Sequence, residues 1–411
     1  HIKLGNSDAA VEQFNVLTRL FPASPLADDA QYAIGWVSFQ NKDYPEAIKE
    51  FQGLVQQYLA SELVPKAKYS IGDAYYNQQR YSQAEKAYRD VVNSFPQSQY
   101  VLDAMSGIQY CLVAQGKQDE AVKVIDLFVK EHPEAGSAEA LLLKKADLFY
   151  GQKQYPAAIK EYRSFANRYP SSPLAATAYY WIGKSYRSQN KLLDAVSAFE
   201  RASALKGAPD KVVGEALLEA SEIYVALKSY EKALASLSAI ERSFSDSEVA
   251  PEAAFLKGGV FLENGDGQEA KNQYRFVVDR FPKSMAADRS QLALATMILE
   301  ESNYKEARGL AERVAASRTD DIGAKAQYLV AQSFLREQDW QNAITSFLRI
   351  RYIFPAHEEW LAKSYLGLGE AFEQTNERLK AREAYQNVLK MDRQAPAGAE
   401  AQKRLKRLER L

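Results

Sequence analysis

The sequence predicts an all-α solenoid of about ten stacked helix hairpins, and three phased features predict it. A small residue is followed four places later by a large apolar one along the whole chain. A second small residue stands twelve places before most of these, and an aromatic–proline pair often follows seven places after the large one. Self-similarity at a fixed period is the mark of a repeat architecture, in which no single hairpin can bury its own apolar face.

The first feature is carried by Ala10, Ala47, Ala84, Ala121, Ala158, Ala195, Ala233, Ala270, Ala307, Ala343 and Ala381, with gaps of 36 to 38 residues. Their partners are Phe14, Phe51, Tyr88, Ile125, Tyr162, Phe199, Leu237, Tyr274, Ala311, Phe347 and Tyr385. Only Ala311 is small. The second feature is carried by Gly35, Gly72, Ala146, Gly183, Ser221, Gly258, Ala295, Ala331 and Gly369. Small residues at both places let two helices approach closely, while the large partner fills the space between neighbouring units. Alanine and spaced apolar residues favour helix.

The third feature punctuates the units. Phe21-Pro22, Phe95-Pro96, Tyr169-Pro170, Phe281-Pro282 and Phe354-Pro355 show it, and His132-Pro133 and Phe244-Ser245 are weaker copies. Ser24-Pro25 and Ser172-Pro173 read as an N-cap serine before a first-turn proline, so each first helix is expected to start there. The opening at Lys3-Leu4-Gly5 reads as the tail of a helix, and the chain is expected to be part of a longer protein. At the other end, Leu405, Leu408 and Leu411 alternate with basic residues in a polar-faced capping helix over 394–411.

These residues resemble the tetratricopeptide repeat family over residues 3–393. Its pattern of Trp/Tyr-x2-Leu-Gly-x2-Tyr, then Ala-x3-Phe, is met by Tyr179, Ile182, Gly183, Tyr186, Ala195 and Phe199. Tyr365, Leu368, Gly369, Phe372, Ala381 and Tyr385 meet it again. The resemblance implies a right-handed superhelical array over residues 1–393, a first repeat cut short and then ten of about 37 residues. The third complete unit departs, because its Gly107 stands two residues out of phase with Ala121.

Composition narrows the function. The 52 basic and 53 acidic residues nearly cancel, which argues against a generic nucleic-acid or membrane-surface binder. One cysteine and three histidines leave no internal disulfide and little metal or histidine chemistry. No stretch nears the roughly 20 apolar residues of a membrane span. No phosphate loop, nucleophile elbow or zinc signature occurs, so no enzyme, cofactor or metal is expected. Asn264-Gly265-Asp266-Gly267 reads as a tight turn between two helices, and Cys111 among apolar neighbours as a buried, inert thiol. His132 and His357 fall in linkers. The pairs Asp28-Asp29 and Asp320-Asp321 sit at helix starts, where they favour the helix dipole.

In the family the first helices line a concave surface, and mapping the sequence onto it places Tyr32, Trp36 and Phe39 in one unit and Tyr69, Asp73 and Tyr76 in the next. Further along come Asp147, Tyr150, Tyr180, Lys184, Arg187, Glu222, Tyr328 and Arg336. The aromatic first third suits a groove for a protein or peptide partner, with packing between helices as the competing use of the same rings. The asparagine of the family's carboxylate clamp is absent from its expected positions. The linker Phe-Pro-x-Ser, as in Phe95-Pro96-Gln97-Ser98 and Phe281-Pro282-Lys283-Ser284, resembles tetratricopeptide proteins of the bacterial envelope, which implies a periplasmic or outer-membrane-associated scaffold. A scaffold for exopolysaccharide export and the regulatory arm of a larger enzyme are the alternative readings.

Overall fold

The structure is a computed structural model that describes residues 7–132, 137–391 and 396–408. Pro133, the opening residues 1–6, and Arg410 and Leu411 of the expected cap lie outside the described residues. Among the described residues there are 22 α-helices and no strand. They fall into two compact units, residues 1–212 and 213–411, the boundary lying in the first turn of the helix Asp210–Ala226, which is counted with the second.

The first unit holds α1 (Ser7–Leu20), α2 (Ala27–Gln40), α3 (Tyr44–Gln57), α4 (Val64–Asn77), α5 (Tyr81–Ser94), α6 (Val101–Ala114), α7 (Gln118–Glu131), α8 (Ala138–Gly151), α9 (Tyr155–Arg168), α10 (Leu174–Ser188) and α11 (Leu192–Ala204). The second runs from α12 (Asp210–Ala226) through α13 (Tyr230–Ser243), α14 (Ala250–Glu263), α15 (Gly267–Arg280), α16 (Met285–Glu300), α17 (Tyr304–Ser317), α18 (Asp321–Arg336), α19 (Trp340–Ile353), α20 (Glu358–Gln374) and α21 (Arg378–Met391) to α22 (Pro396–Leu408). Even-numbered helices up to α20 are the first helices of hairpins, and the odd-numbered helix after each is its second.

The phased residues explain how each hairpin closes. Ala47, Ala84, Ala158, Ala195 and Ala270 are wholly buried, as are Phe51, Tyr162 and Phe199. Where the first helix has glycine at this position, at Gly35, Gly72, Gly183, Gly258 and Gly369, it lies against the ring of its own second helix. A Cβ on Gly35 would come 2.7 Å from the Phe51 ring, and one on Gly183 would come 2.5 Å from the Phe199 ring. Burying such a ring contributes about 1.5–3 kcal/mol, and only glycine leaves room for this approach. At Ala311 the ring is missing, and Leu292, Leu294, Ile298 and Leu299 of α16 fill the core there.

Each first helix ends in the same way. The N–H of Lys42 is donated to Phe39 and that of Asp43 to Ser38, the paired bonds of a left-handed helix stop. The residue at that stop has positive φ in all ten hairpins, yet only Gly116 and Gly265 are glycine. Asn264-Gly265-Asp266 is therefore a turn, with Gly265 at φ 90°.

The linkers between hairpins also repeat. The N–H of Ser61, Ser98, Ser172 and Ser247 is donated three residues back to the carbonyl of Tyr58, Phe95, Tyr169 and Phe244. Ser24 and Ser172 are not N-caps as expected from sequence. Their hydroxyls accept from the N–H two residues on, at Leu26 and Leu174, and the helices begin at Ala27 and Leu174. A short side chain that bonds its own turn delays the helix by two residues at Pro25 and by one at Pro173. Ser284, by contrast, is an N-cap, its hydroxyl accepting from the Ala287 N–H at 3.1 Å.

Candidate functional site

The six residues mapped to the partner-facing surface do not share one environment. Tyr32 is 9% exposed, packs on Phe51 with ring centroids 5.2 Å apart, and bonds Ser70 through its hydroxyl at 3.1 Å. It belongs to the core and offers a partner almost no surface. Trp36 is 42% exposed and stacks on Phe39 at 5.6 Å with nearly parallel rings, while Phe39 meets Tyr44 edge-on at 5.4 Å. This pair forms an open aromatic shelf on α2.

Tyr69, Asp73 and Tyr76 line a different feature, a recess of about 340 Å³ on the first-helix face of the first unit. Helix α4 supplies these three, α6 supplies Asp103, Ser106, Gly107 and Tyr110, α5 supplies Tyr88 and α8 supplies Lys144. Asp73 accepts from the Tyr88 hydroxyl at 2.6 Å and also bonds Tyr69. Burial, opposed by these hydrogen bonds, holds the Asp73 carboxyl above the usual carboxylate range. Tyr88 and Tyr69 are pushed far up by burial and by the adjacent Asp73 charge. Tyr76 is 36% exposed and meets Tyr81 edge-on at 5.4 Å, and Tyr110 is 61% exposed.

Gly107 also lines this recess. It is not a displaced copy of the Gly35 position, as its phase suggested, but lies against the ring of the preceding hairpin. A Cβ there would come 2.5 Å from Tyr88. Tyr88 is thus held between Gly72 and Gly107, and Phe347 meets Gly367 in the same way. Tyr88, Asp103, Tyr110 and Lys144 were not singled out from sequence as groove residues. Tyr88 was legible, since a tyrosine at the ring position with an aspartate fifteen residues earlier recurs in Tyr162, which bonds Asp147.

Other mapped residues are used inside the fold. Tyr150 packs on Trp181 at 4.9 Å, Tyr180 on Phe199 at 5.7 Å, and Tyr328 between Phe347 and Trp360. Arg336 pairs with Glu300 at 2.9 Å. Cys111 is wholly buried, and burial pushes its thiol up to about 12. His132 rests on Phe128, while His357, which showed no partner in sequence, has Nδ1 3.4 Å from Asp321. Asp320 caps α18 and is held down at about 2 by Arg318. Among the described residues no group of three or more potential metal ligands converges, and no helix is long and apolar enough to cross a membrane.

Phased helix hairpins with an open first-helix face define a helical-repeat binding scaffold. The chain belongs to the tetratricopeptide repeat family: models of that repeat match residues 1–62, 66–98, 143–211, 183–248, 214–284, 255–321, 292–358 and 362–394. Proteins of this family are in general non-catalytic scaffolds for other proteins. No curated protein matches the sequence. Among solved structures, a tetratricopeptide repeat protein from Parabacteroides merdae is 16% identical with a TM-score of 0.43, over 67% of this chain and 100% of that one. MamA from Desulfovibrio magneticus is 22% identical with a TM-score of 0.37, over 46% of this chain and 98% of its own. Yeast Tom70 is 11% identical with a TM-score of 0.40, over 93% of this chain and 95% of its own.

Proposed function

We propose that this protein is a non-enzymatic scaffold of the bacterial cell envelope that holds a protein or peptide partner on the first-helix face of its first unit. The observation that carries the reading is the open indole of Trp36, stacked on Phe39, with Tyr76 exposed at the equivalent stretch of the next hairpin. Large aromatic surface with a polar handle is what partner-binding centres are made of, and it costs solubility when left bare. The envelope placement rests on the Phe-Pro-x-Ser linkers alone.

The test is Trp36→Ala with Tyr76→Ala in the full-length protein, followed by capture from envelope extract and a melting curve. Loss of specific partners with an unchanged melt supports the groove. An unchanged set of partners, or a collapsed melt, returns these rings to packing. Fractionation of cells checks the location, and a purely cytosolic protein would overturn that part.

A further inference from the structure

We propose that the recess between α4 and α6 takes a cationic side chain, an arginine or lysine, of the partner segment. The inference rests on the binding face proposed above and names the chemistry that one part of it recognises.

Three features carry it. The first is charge. Asp73 and Asp103 both line the recess, and Asp103 is exposed and makes no hydrogen bond or ion pair among the described residues. Its place in the first turn of α6 suits the helix dipole, but leaves the carboxylate open to solvent. The one cation of the recess, Lys144, donates to Ser106 and faces Asp147, so it is occupied at the far wall. An incoming anion would meet two carboxylates; an incoming cation would relieve their mutual repulsion.

The second feature is the wall. Tyr69, Tyr76 and Tyr110 flank the carboxylates, and a guanidinium or ammonium over a tyrosine face gains further attraction as it loses water. The fold already uses this contact: Lys66 sits 4.2 Å from the Tyr32 ring centroid and Arg80 4.9 Å from that of Tyr75. The third is room. Gly107 lines the recess and lets the Tyr88 ring lie against its backbone, so the ring forms a wall instead of filling the space. A recess of about 340 Å³ is a fit for one long side chain rather than for a folded element.

The probe is a fluorescent peptide of alternating arginine and glycine, set against the same peptide with citrulline, which keeps the shape and removes the charge. Binding is read by fluorescence anisotropy on the intact chain. Asp103→Asn, on an exposed carboxylate, is expected to leave the melt unchanged and weaken the arginine peptide about tenfold. Asp73→Asn should weaken it further, while Glu62→Gln, an exposed acid elsewhere in the unit, should not. Equal binding of citrulline and arginine peptides, equal binding to the parent and Asp103→Asn, or no binding of the arginine peptide would overturn the proposal. Partners that depend on Trp36 and Tyr76 but not on Asp103 would retain the binding face and remove only the cation.

Discussion

At Tyr88 and Tyr162 a hydroxyl added to the ring that closes the hairpin reaches the first-helix face and meets Asp73 and Asp147. Phe51, Phe199 and Phe347, which lack it, have Trp36, Lys184 and Gln332 at the matching place. The pairing has a measurable consequence at Asp73. Burial raises its carboxyl above the ordinary value of about 3.9. The folded state then binds this proton more tightly than the unfolded chain does. The resulting stability is full below about pH 3.9 and is lost as pH rises through the folded value. Asp73→Asn keeps an oxygen for the two tyrosine hydroxyls and removes the buried charge. It is expected to unfold at higher denaturant than the parent at pH 7 and at a similar concentration below pH 4. Equal destabilisation at both pH values would contradict this. At this scale the sequence showed which residues repeat, but not which ring is exposed. Tyr32 and Trp36 lie one helical turn apart, and only packing against Phe51 and Ser70 separates the buried one from the open one.

The hairpin of α6 and α7 is where local pattern and packing part company. Family matches stop at residue 98 and resume at 143, yet the two helices form. Gln109 stands where other hairpins have a small residue, is 3% exposed, and donates to the Ala121 carbonyl at 3.0 Å. Ile125 stands opposite, where most others have a ring. These are the two positions that meet in other hairpins, as at Gly72 and Tyr88, which predicts that one departure compensates the other. Ile125→Phe alone is expected to cost about 1–3 kcal/mol by overpacking. Gln109→Gly alone should cost about 1 kcal/mol or more through helix propensity and the lost hydrogen bond. The double variant should restore the common pairing and lose clearly less than the sum; denaturant unfolding of all four proteins gives the coupling. Additivity within about 0.5 kcal/mol would refute the compensation. Helix count and phase were legible because eleven alanines repeat them. This exchange was not, because it depends on which two side chains face each other, and a period cannot report that.

Across the whole chain the same stop is built ten times, and in eight of them a residue other than glycine holds positive φ. Asn190 and Asn376 tolerate that region, but Lys42, Gln79, Lys153, Lys228, Ser302 and Gln338 are held there at a cost of roughly 1–2 kcal/mol each. All six are solvent-exposed, so glycine would forfeit little contact. After the extra chain entropy of glycine is charged, each replacement should gain about 0.5–1 kcal/mol. Sites this far apart in a repeat array add nearly independently. The six together are expected to raise the melting temperature well beyond any one, and a combined variant that melts with the parent would refute it. The protein therefore carries reserve thermostability spread evenly along its length. An engineer could draw on it turn by turn, without altering the aromatic face or any buried ring.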